Sequence, residues 1–228
     1  MHKKLFTIYF CFFIIFSFGQ KIDFKAPNYN EIKNNIENKN SEYYYPNLLS
    51  KLKQNDTLLT KDQYKHLYFG YIFQKDYNPY KIGKNDDKLA KYYKGEFEET
   101  EIPDVITTLK QALEEFPLDL RAMNFLAYMY HESKNEEMAR MVSINFHGLF
   151  ESILSSGNGN KCGTAFHVIS VSHEYVFLNM FELENQTQSF DGKCDFLQFE
   201  KDKYKVPGIY FNVEKLQEKN IRILKSKF

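Results

Sequence analysis

The sequence has no tryptophan, only three cysteines, and equal numbers of acidic and basic residues. The lack of tryptophan removes the indole ring, the best aromatic surface for stacking against a sugar. Three cysteines among 228 residues are too few for a fold held together mainly by disulfides. A net charge of zero argues against a surface built to hold nucleic acid or an anionic membrane. We therefore expect a folded protein without a nucleic-acid partner.

Familiar motifs for metal binding and nucleophilic catalysis are also missing. The sequence has no HExxH or CxxC pattern for zinc and no Gly-x-Ser-x-Gly elbow for a hydrolase. Ser156-Gly157-Asn158-Gly159 is rich in glycine but lacks the Lys-Ser/Thr that completes a phosphate-binding loop. A turn after a helix explains these glycines better. The sequence thus predicts no metal and no cofactor.

One long apolar run is present, and it lies at the N-terminus. Met1-His2-Lys3-Lys4 is basic, residues 5–18 are almost entirely apolar, and small residues occupy positions 17 and 19. This order is typical of a signal peptide, cut here between Gly19 and Gln20. The run of 14 residues is shorter than the roughly 17 to 25 that span a bilayer. We therefore predict an exported protein, periplasmic or on the cell surface, with no transmembrane segment after cleavage.

Processing at this position changes the charge and the cysteine count. Removing Lys3 and Lys4 from 30 basic residues leaves 28, against 30 acidic residues. Cys162 and Cys194 are the cysteines of the mature chain. In an oxidising compartment they can form a disulfide, whereas otherwise they would be two small buried thiols. Both interpretations remain open from the sequence.

The hydrophobic pattern predicts an α+β fold. Residues 20–156 have apolar groups spaced three and four apart, as in helices, and Thr60-x-x-Gln63 is a capping box that opens one helix, expected to end near Lys75. Runs rich in branched and aromatic residues at 166–171, 194–199 and 208–213 predict strands. A helix is expected at 173–184, and 213–225 fits either a helix or a strand. Residues 157–228 would form a small mixed sheet, with a boundary near 157–163 that joins either two domains or parts of one.

Residues 104–155 resemble a tetratricopeptide repeat. The pattern is carried by Met123, Leu126, Ala127, Tyr130 and Ala139. The small residues would let two antiparallel helices approach closely, while the larger ones fill the groove between them. Only about one and a half repeats can be recognised, so we expect a hairpin supported by other helices. The resemblance implies a surface for proteins or peptides.

Several segments across the chain together resemble an exported bacterial family of the Bacteroidetes type, domain of unknown function number 4919. The segments are residues 43–46, 66–71, 76–80, 154–157 and 167–175. The resemblance implies a protein of the cell envelope. It implies no ligand, activity or catalytic residue.

The best candidates for chemistry are His167, His173 and Glu174. Histidine exchanges protons near neutral pH, and a neighbouring carboxylate can orient it for acid-base work. The alternative is structural. His167 would belong to the sheet, Ser172 would cap a helix, and the helix dipole would stabilise the charge of Glu174 in the first turn. A hydrolase requires these groups to converge on an open cleft, whereas the structural interpretation leaves them in a packed core.

Tyrosines form the other candidate site. Tyrosine rings can bury apolar area while their hydroxyls hydrogen-bond a sugar or peptide, and a tyrosine-rich core is the alternative. The candidates are Tyr64, Tyr68, Tyr71, Tyr77 and Tyr80. The function we favour is a non-catalytic module that binds or scaffolds another envelope protein, a peptide or a ligand. The alternative function is a hydrolase, and the oligomeric state is undetermined.

Overall fold

The computed structural model describes residues 24–80 and 82–225. The predicted signal peptide and its cleavage site between Gly19 and Gln20 lie outside these residues. Among the residues described, no helix combines the length and the apolar character needed to cross a bilayer.

Within the described residues, seven helices precede the sheet, one helix lies between its strands and one follows the last strand. The first seven are α1 (Tyr29–Glu37), α2 (Tyr45–Lys53), α3 (Lys61–Gly70), α4 (Asp86–Tyr92), α5 (Ile102–Glu115), α6 (Leu120–Glu132) and α7 (Glu136–Leu154). The later two are α8 (Ser172–Met180) and α9 (Glu214–Lys225). Short 3₁₀ turns lie at Tyr71–Phe73, Glu99–Glu101 and Cys162–Thr164.

Side-chain caps fix the starts of several of these helices. The predicted capping box is confirmed, since Thr60 Oγ1 accepts from the Gln63 N–H at 3.2 Å and Gln63 Oε1 accepts from the Thr60 N–H at 3.0 Å. Asp119 and Asn135 cap α6 and α7 in the same way, through backbone N–H groups of their first turns. The end of α3 differs from the prediction: the regular helix ends at Gly70, and a 3₁₀ turn carries the chain to Phe73.

Helices α5, α6 and α7 follow one another through short connections and pack side by side. Such connections make successive helices antiparallel. Leu126 and Ala139 are buried where α6 and α7 meet. The structure therefore contains a helical hairpin at this position, whereas its kinship with tetratricopeptide repeats stays a prediction.

The C-terminal part is a four-stranded mixed sheet in the order β1-β4-β3-β2. Its strands are β1 (Phe166–His167), β2 (Asn185–Phe190), β3 (Cys194–Phe199) and β4 (Gly208–Asn212). β1 runs parallel to β4, while β3 is antiparallel to both β4 and β2. The predicted α+β fold is confirmed.

Some boundaries in this part differ from the prediction. The strand expected at 166–171 is only two residues long, because Ser170 turns the chain: its carbonyl accepts from the His173 N–H, and its hydroxyl accepts from the Ser172 N–H. The helix expected to reach residue 184 ends at Met180, and Glu182 then takes a positive φ of 53°. The ambiguous final segment is the helix α9.

Buried apolar side chains from the helices and from the sheet form one continuous cluster. It includes Ile36, Leu67, Phe146, Phe177 and Phe211, which come from both halves of the chain. Cys162 and Cys194 are joined as a disulfide with their Cα atoms 5.7 Å apart, and this bond ties the turn before β1 to the start of β3. The sheet thus packs against the helices, and the disulfide links it to the turn that precedes β1.

Candidate functional site

His173 lies in the first turn of α8 and is completely buried. Its Nδ1 is 2.7 Å from the Tyr68 hydroxyl, and its ring stacks on Phe116 with the centroids 5.8 Å apart. Burial lowers the pKa of His173 to about 3, although the nearby backbone of Leu118 favours the charged form. The imidazole is therefore neutral, and its Nδ1 shares one hydrogen bond with the Tyr68 hydroxyl. Nε2 is buried, and no group among the described residues forms a hydrogen bond of ordinary geometry with it.

Glu174 follows His173 and forms a buried pair with Asp195 at the start of β3. Neither side chain is more than 6% exposed. Burial is the main cause that raises the pKa of Glu174 to about 9, and the Asp195 carboxylate raises it further. Both Glu174 oxygens would lack a partner if the two groups were ionised. A proton on Glu174 lets its carboxyl donate to Asp195, so the pair holds one proton at neutral pH.

His167 lies elsewhere, on β1 at the edge of the sheet. Its Nδ1 is 3.2 Å from the hydroxyl of Tyr29, and the two rings are 5.9 Å apart. Burial lowers the pKa of His167 to about 4, and the charge of Lys193 adds to this shift. The ring is thus neutral and supported by α1, with no contact to the Glu174 pair.

The three candidates for chemistry therefore share no open cleft. His173 and Glu174 are fully buried and contact different partners, Tyr68 and Asp195. His167 is hydrogen-bonded to Tyr29. The capping role expected of Ser172 is wrong: Ser172 is the first helical residue, and the hydroxyl that accepts from a backbone N–H belongs to Ser170. This arrangement supports the structural interpretation of the segment.

The five candidate tyrosines also do not line one open groove together. Tyr64, Tyr68, Tyr71 and Tyr77 are buried, and Tyr80 is 44% exposed. The hydroxyls of Tyr64 and Tyr77 donate to Asn145 Oδ1 at 2.7 Å and to the Ile169 carbonyl at 2.9 Å. Such internal hydrogen bonds favour a tyrosine-rich core for these residues.

An open pocket of about 410 Å³ lies above His173, between α4, the turn from α5 to α6, and residues 170–172. We call it the central pocket. Phe116 forms one wall and is stacked between Tyr71, at 5.4 Å, and His173 beneath it. The buried histidine thus supports the pocket wall from behind and does not reach the ligand space.

Among the described residues, the lining of the central pocket contains more carboxylates than cations. The acidic residues are Asp76, Asp86, Glu115 and Asp119, and the basic residues are Lys84 and Arg121. Arg121 lies 3.9 Å above the ring of Tyr93, and its charge favours the ionised form of Asp119, which caps α6. The described part of the lining thus places several carboxylates next to aromatic surface.

Sequence reasoning missed most of this pocket. Of the candidate tyrosines, Tyr71 alone lines it, and neither Phe116 nor Asp119 stood out in the sequence. Phe116 and Asp119 sit in the connection between two helices, where capping gives a sufficient reason for an aspartate. No local pattern shows that the connection faces α4 across an open space.

One group of potential metal ligands is present among the described residues, made by Cys162, Asp191 and Cys194. The two sulfur atoms are already joined as a disulfide, and Asp191 accepts from the N–H groups of Lys193 and Cys194. Disulfide sulfurs are poor ligands compared with thiolates. The group therefore serves the turn between β2 and β3.

Comparison with known proteins identifies the family. Residues 30–222 match the family described as domain of unknown function (DUF4919). The chain belongs to this family. No curated protein and no solved structure shows a significant match. The DUF4919 match covers both the helices and the sheet, so the central pocket and the Glu174–Asp195 pair both lie inside the family domain.

Proposed function

We propose that this protein is a non-catalytic binding module of the cell envelope, and that the central pocket takes a positively charged group from its partner. The lysine side chain of an envelope protein or peptide has the matching chemistry. The observation that carries the proposal is the open pocket with aromatic walls and several carboxylates among its described lining residues, set above a histidine side chain that solvent does not reach.

Charge and shape support a cation in this pocket. The Arg121 charge is offset by Asp119, and the carboxylates of Asp76 and Asp86 line the same pocket beside Lys84. An ammonium group is attracted by such carboxylates. The alkyl stem of lysine would pack on Ala90 and Leu89, which also line the pocket.

Calorimetric titration tests this proposal with three small probes: N-acetyl-lysine amide, N-acetyl-arginine amide and the neutral N-acetyl-norleucine amide. We expect one of the cationic probes to bind and the neutral probe to bind at least about tenfold more weakly. Asp76→Asn removes an exposed carboxylate of the pocket and should weaken cation binding by about threefold to fivefold. Asp87→Asn is the matched control, because Asp87 lies on α4 outside the lining.

Equal affinity for the cationic and neutral probes would contradict a site for cations. Capture of the tagged mature protein from its native envelope after mild crosslinking then tests the binding role itself. A stoichiometric partner that is lost in Asp76→Asn but kept in Asp87→Asn would identify the pocket as its docking site. Absence of any partner above an untagged control would contradict a scaffold.

The envelope location has its own test. Mass spectrometry of the protein from its native cells should find an N-terminus at Gln20, as the signal-peptide prediction requires. A chain that starts at Met1 would contradict export by this route.

A further inference from the structure

A second groove lies on the outer face of α6 and α8, on the far side of Tyr93 from the central pocket. Its volume is about 460 Å³, and we call it the outer groove. It is lined by Tyr93, Arg121, Asn124, Phe125, Tyr128, Val176, Asn179 and Met180. Tyr93 and Arg121 are shared with the central pocket, and the other six residues are not.

We propose that the outer groove binds a neutral saccharide. Three aromatic rings line it in one packed series: Tyr93 meets Phe125 edge to face at 5.4 Å, and Phe125 meets Tyr128 at 6.1 Å. Tyr128 is 50% exposed at the solvent end of this series. Packing against one another holds the rings in place before a ligand arrives, which lowers the entropy cost of binding.

The polar groups of the outer groove match sugar hydroxyls. Asn124 and Asn179 are exposed, and their side-chain amides make no hydrogen bond within the part of the chain that the structure describes. Each amide offers one acceptor and two donors in a plane, a set that can bond two neighbouring hydroxyls. The Arg121 guanidinium lies 3.9 Å above the ring of Tyr93 and adds further hydrogen-bond donors.

Other ligand classes fit this groove less well. Its described lining residues include no carboxylate, so the groove offers little to a cation. Its walls are helices, whose backbone groups are already bonded internally, so an extended peptide finds no strand edge to pair with. Three of its eight described lining side chains, Arg121, Asn124 and Asn179, carry a charge or an amide, which disfavours a lipid chain. Aromatic faces beside planar amides suit a ring with apolar C–H faces and a polar rim.

Saturation-transfer NMR and titration of tyrosine fluorescence test the proposal with three neutral hexasaccharides, built of β-1,4-glucose, β-1,4-N-acetylglucosamine and α-1,4-glucose. We expect at least one to bind saturably, with transfer strongest to the ring C–H protons. Tyr128→Ala should weaken that binding about tenfold, while Tyr128→Phe keeps the ring and should retain most of it. Asn179→Ala should weaken it about fivefold.

Tyr175→Ala is the matched control, because Tyr175 is 41% exposed on α8 but does not line the outer groove. Lack of saturable binding by all three saccharides would overturn the proposal. Equal losses in Tyr128→Ala and Tyr175→Ala would also overturn it. Binding of decaproline in place of every saccharide would instead assign the groove to a peptide. None of these variants changes a residue of the central pocket, so this proposal and the proposed function fail separately.

Discussion

Glu174 departs furthest from ordinary acid behaviour among the groups discussed. Its pKa is about 9 in the folded protein, against 4.5 for an exposed glutamate, because it is buried and lies beside Asp195. At a pH between these two pKa values, Glu174 keeps its proton in the folded state and loses it in the unfolded state. The contribution of Glu174 to stability is therefore greatest below about pH 4.5 and falls as the pH rises toward 9.

Glu174→Gln should remove this decline. The glutamine amide is neutral at every pH and can still donate to Asp195. In urea unfolding at pH 5, 7 and 9, we expect the free energy of unfolding of the variant to rise relative to that of the wild type by roughly 5 kcal/mol between pH 5 and pH 9. Glu200→Gln, at an exposed position, is the control and should follow the wild type. Parallel pH profiles for Glu174→Gln and the wild type would contradict a shared proton.

Tyr68→Phe tests the buried hydrogen bond to His173. The change removes one oxygen and leaves Nδ1 of a fully buried imidazole without its hydrogen-bond partner. An unsatisfied buried polar group costs about 1 to 3 kcal/mol, so the free energy of unfolding should fall by that amount. Tyr175→Phe removes an exposed hydroxyl bonded to Gln188 and should cost less than about 0.5 kcal/mol. Equal losses in chemical denaturation would show that burial of the bond has no effect.

At this scale the sequence suggested the right segment but not its partners. His173 and Glu174 stood out, whereas Asp195 and Tyr68 come from a strand and a helix far along the chain. Local patterns show which face of a helix is apolar, but a contact between distant elements depends on how those elements pack.

Among the elements, prediction succeeded where local signals were strong. The capping box at Thr60 fixed the start of α3, and branched and aromatic residues fixed β3 at Cys194–Phe199. The strand β2 was missed because Asn185–Phe190 is a nearly all-polar strand at the edge of the sheet. An edge strand with little burial lacks the apolar alternation that marks a strand in the sequence.

Gly148 marks the close contact between α3 and α7. A Cβ atom at this position would collide with the aromatic ring of Tyr64. Glycine to alanine in a helix ordinarily stabilises by about 1 kcal/mol, but here we expect Gly148→Ala to destabilise by about 2 kcal/mol or more. Thermal and urea unfolding measure the difference. Gly163→Ala is the control, since nothing lies near its Cβ position; a stable Gly148→Ala would show that the helices can separate without cost.

The disulfide joins two residues separated by 32 positions around α8 and β2. Closing a loop of this length restricts the unfolded chain, and the loop-entropy relation gives about 3 to 4 kcal/mol. The double change Cys162→Ser and Cys194→Ser should lower the free energy of unfolding by about that amount. Reduction of the wild type should reproduce the loss and leave the serine variant unchanged. A serine variant as stable as the oxidised protein would contradict this contribution.

For the whole molecule, one apolar cluster connects α1–α7 with the sheet. The boundary expected near 157–163 falls at a compact turn, where Gly159 has a φ of 67° and lies against Phe166 and Ile209. The sequence showed the change from helices to strands at this place. It could not show that side chains from both parts, such as Phe150 and Phe177, would pack together.

The Glu174–Asp195 pair makes folding a proton-exchange reaction with the solvent. Near pH 7.5 the unfolded glutamate is ionised and the histidines are largely neutral, so each chain that folds absorbs about one proton. Near pH 5.5 the unfolded histidines are charged, so burying His167 and His173 releases about two protons. Glu174 takes up one proton, and folding therefore releases about one proton in total. A weakly buffered solution should therefore turn alkaline on refolding at the higher pH and acidic at the lower.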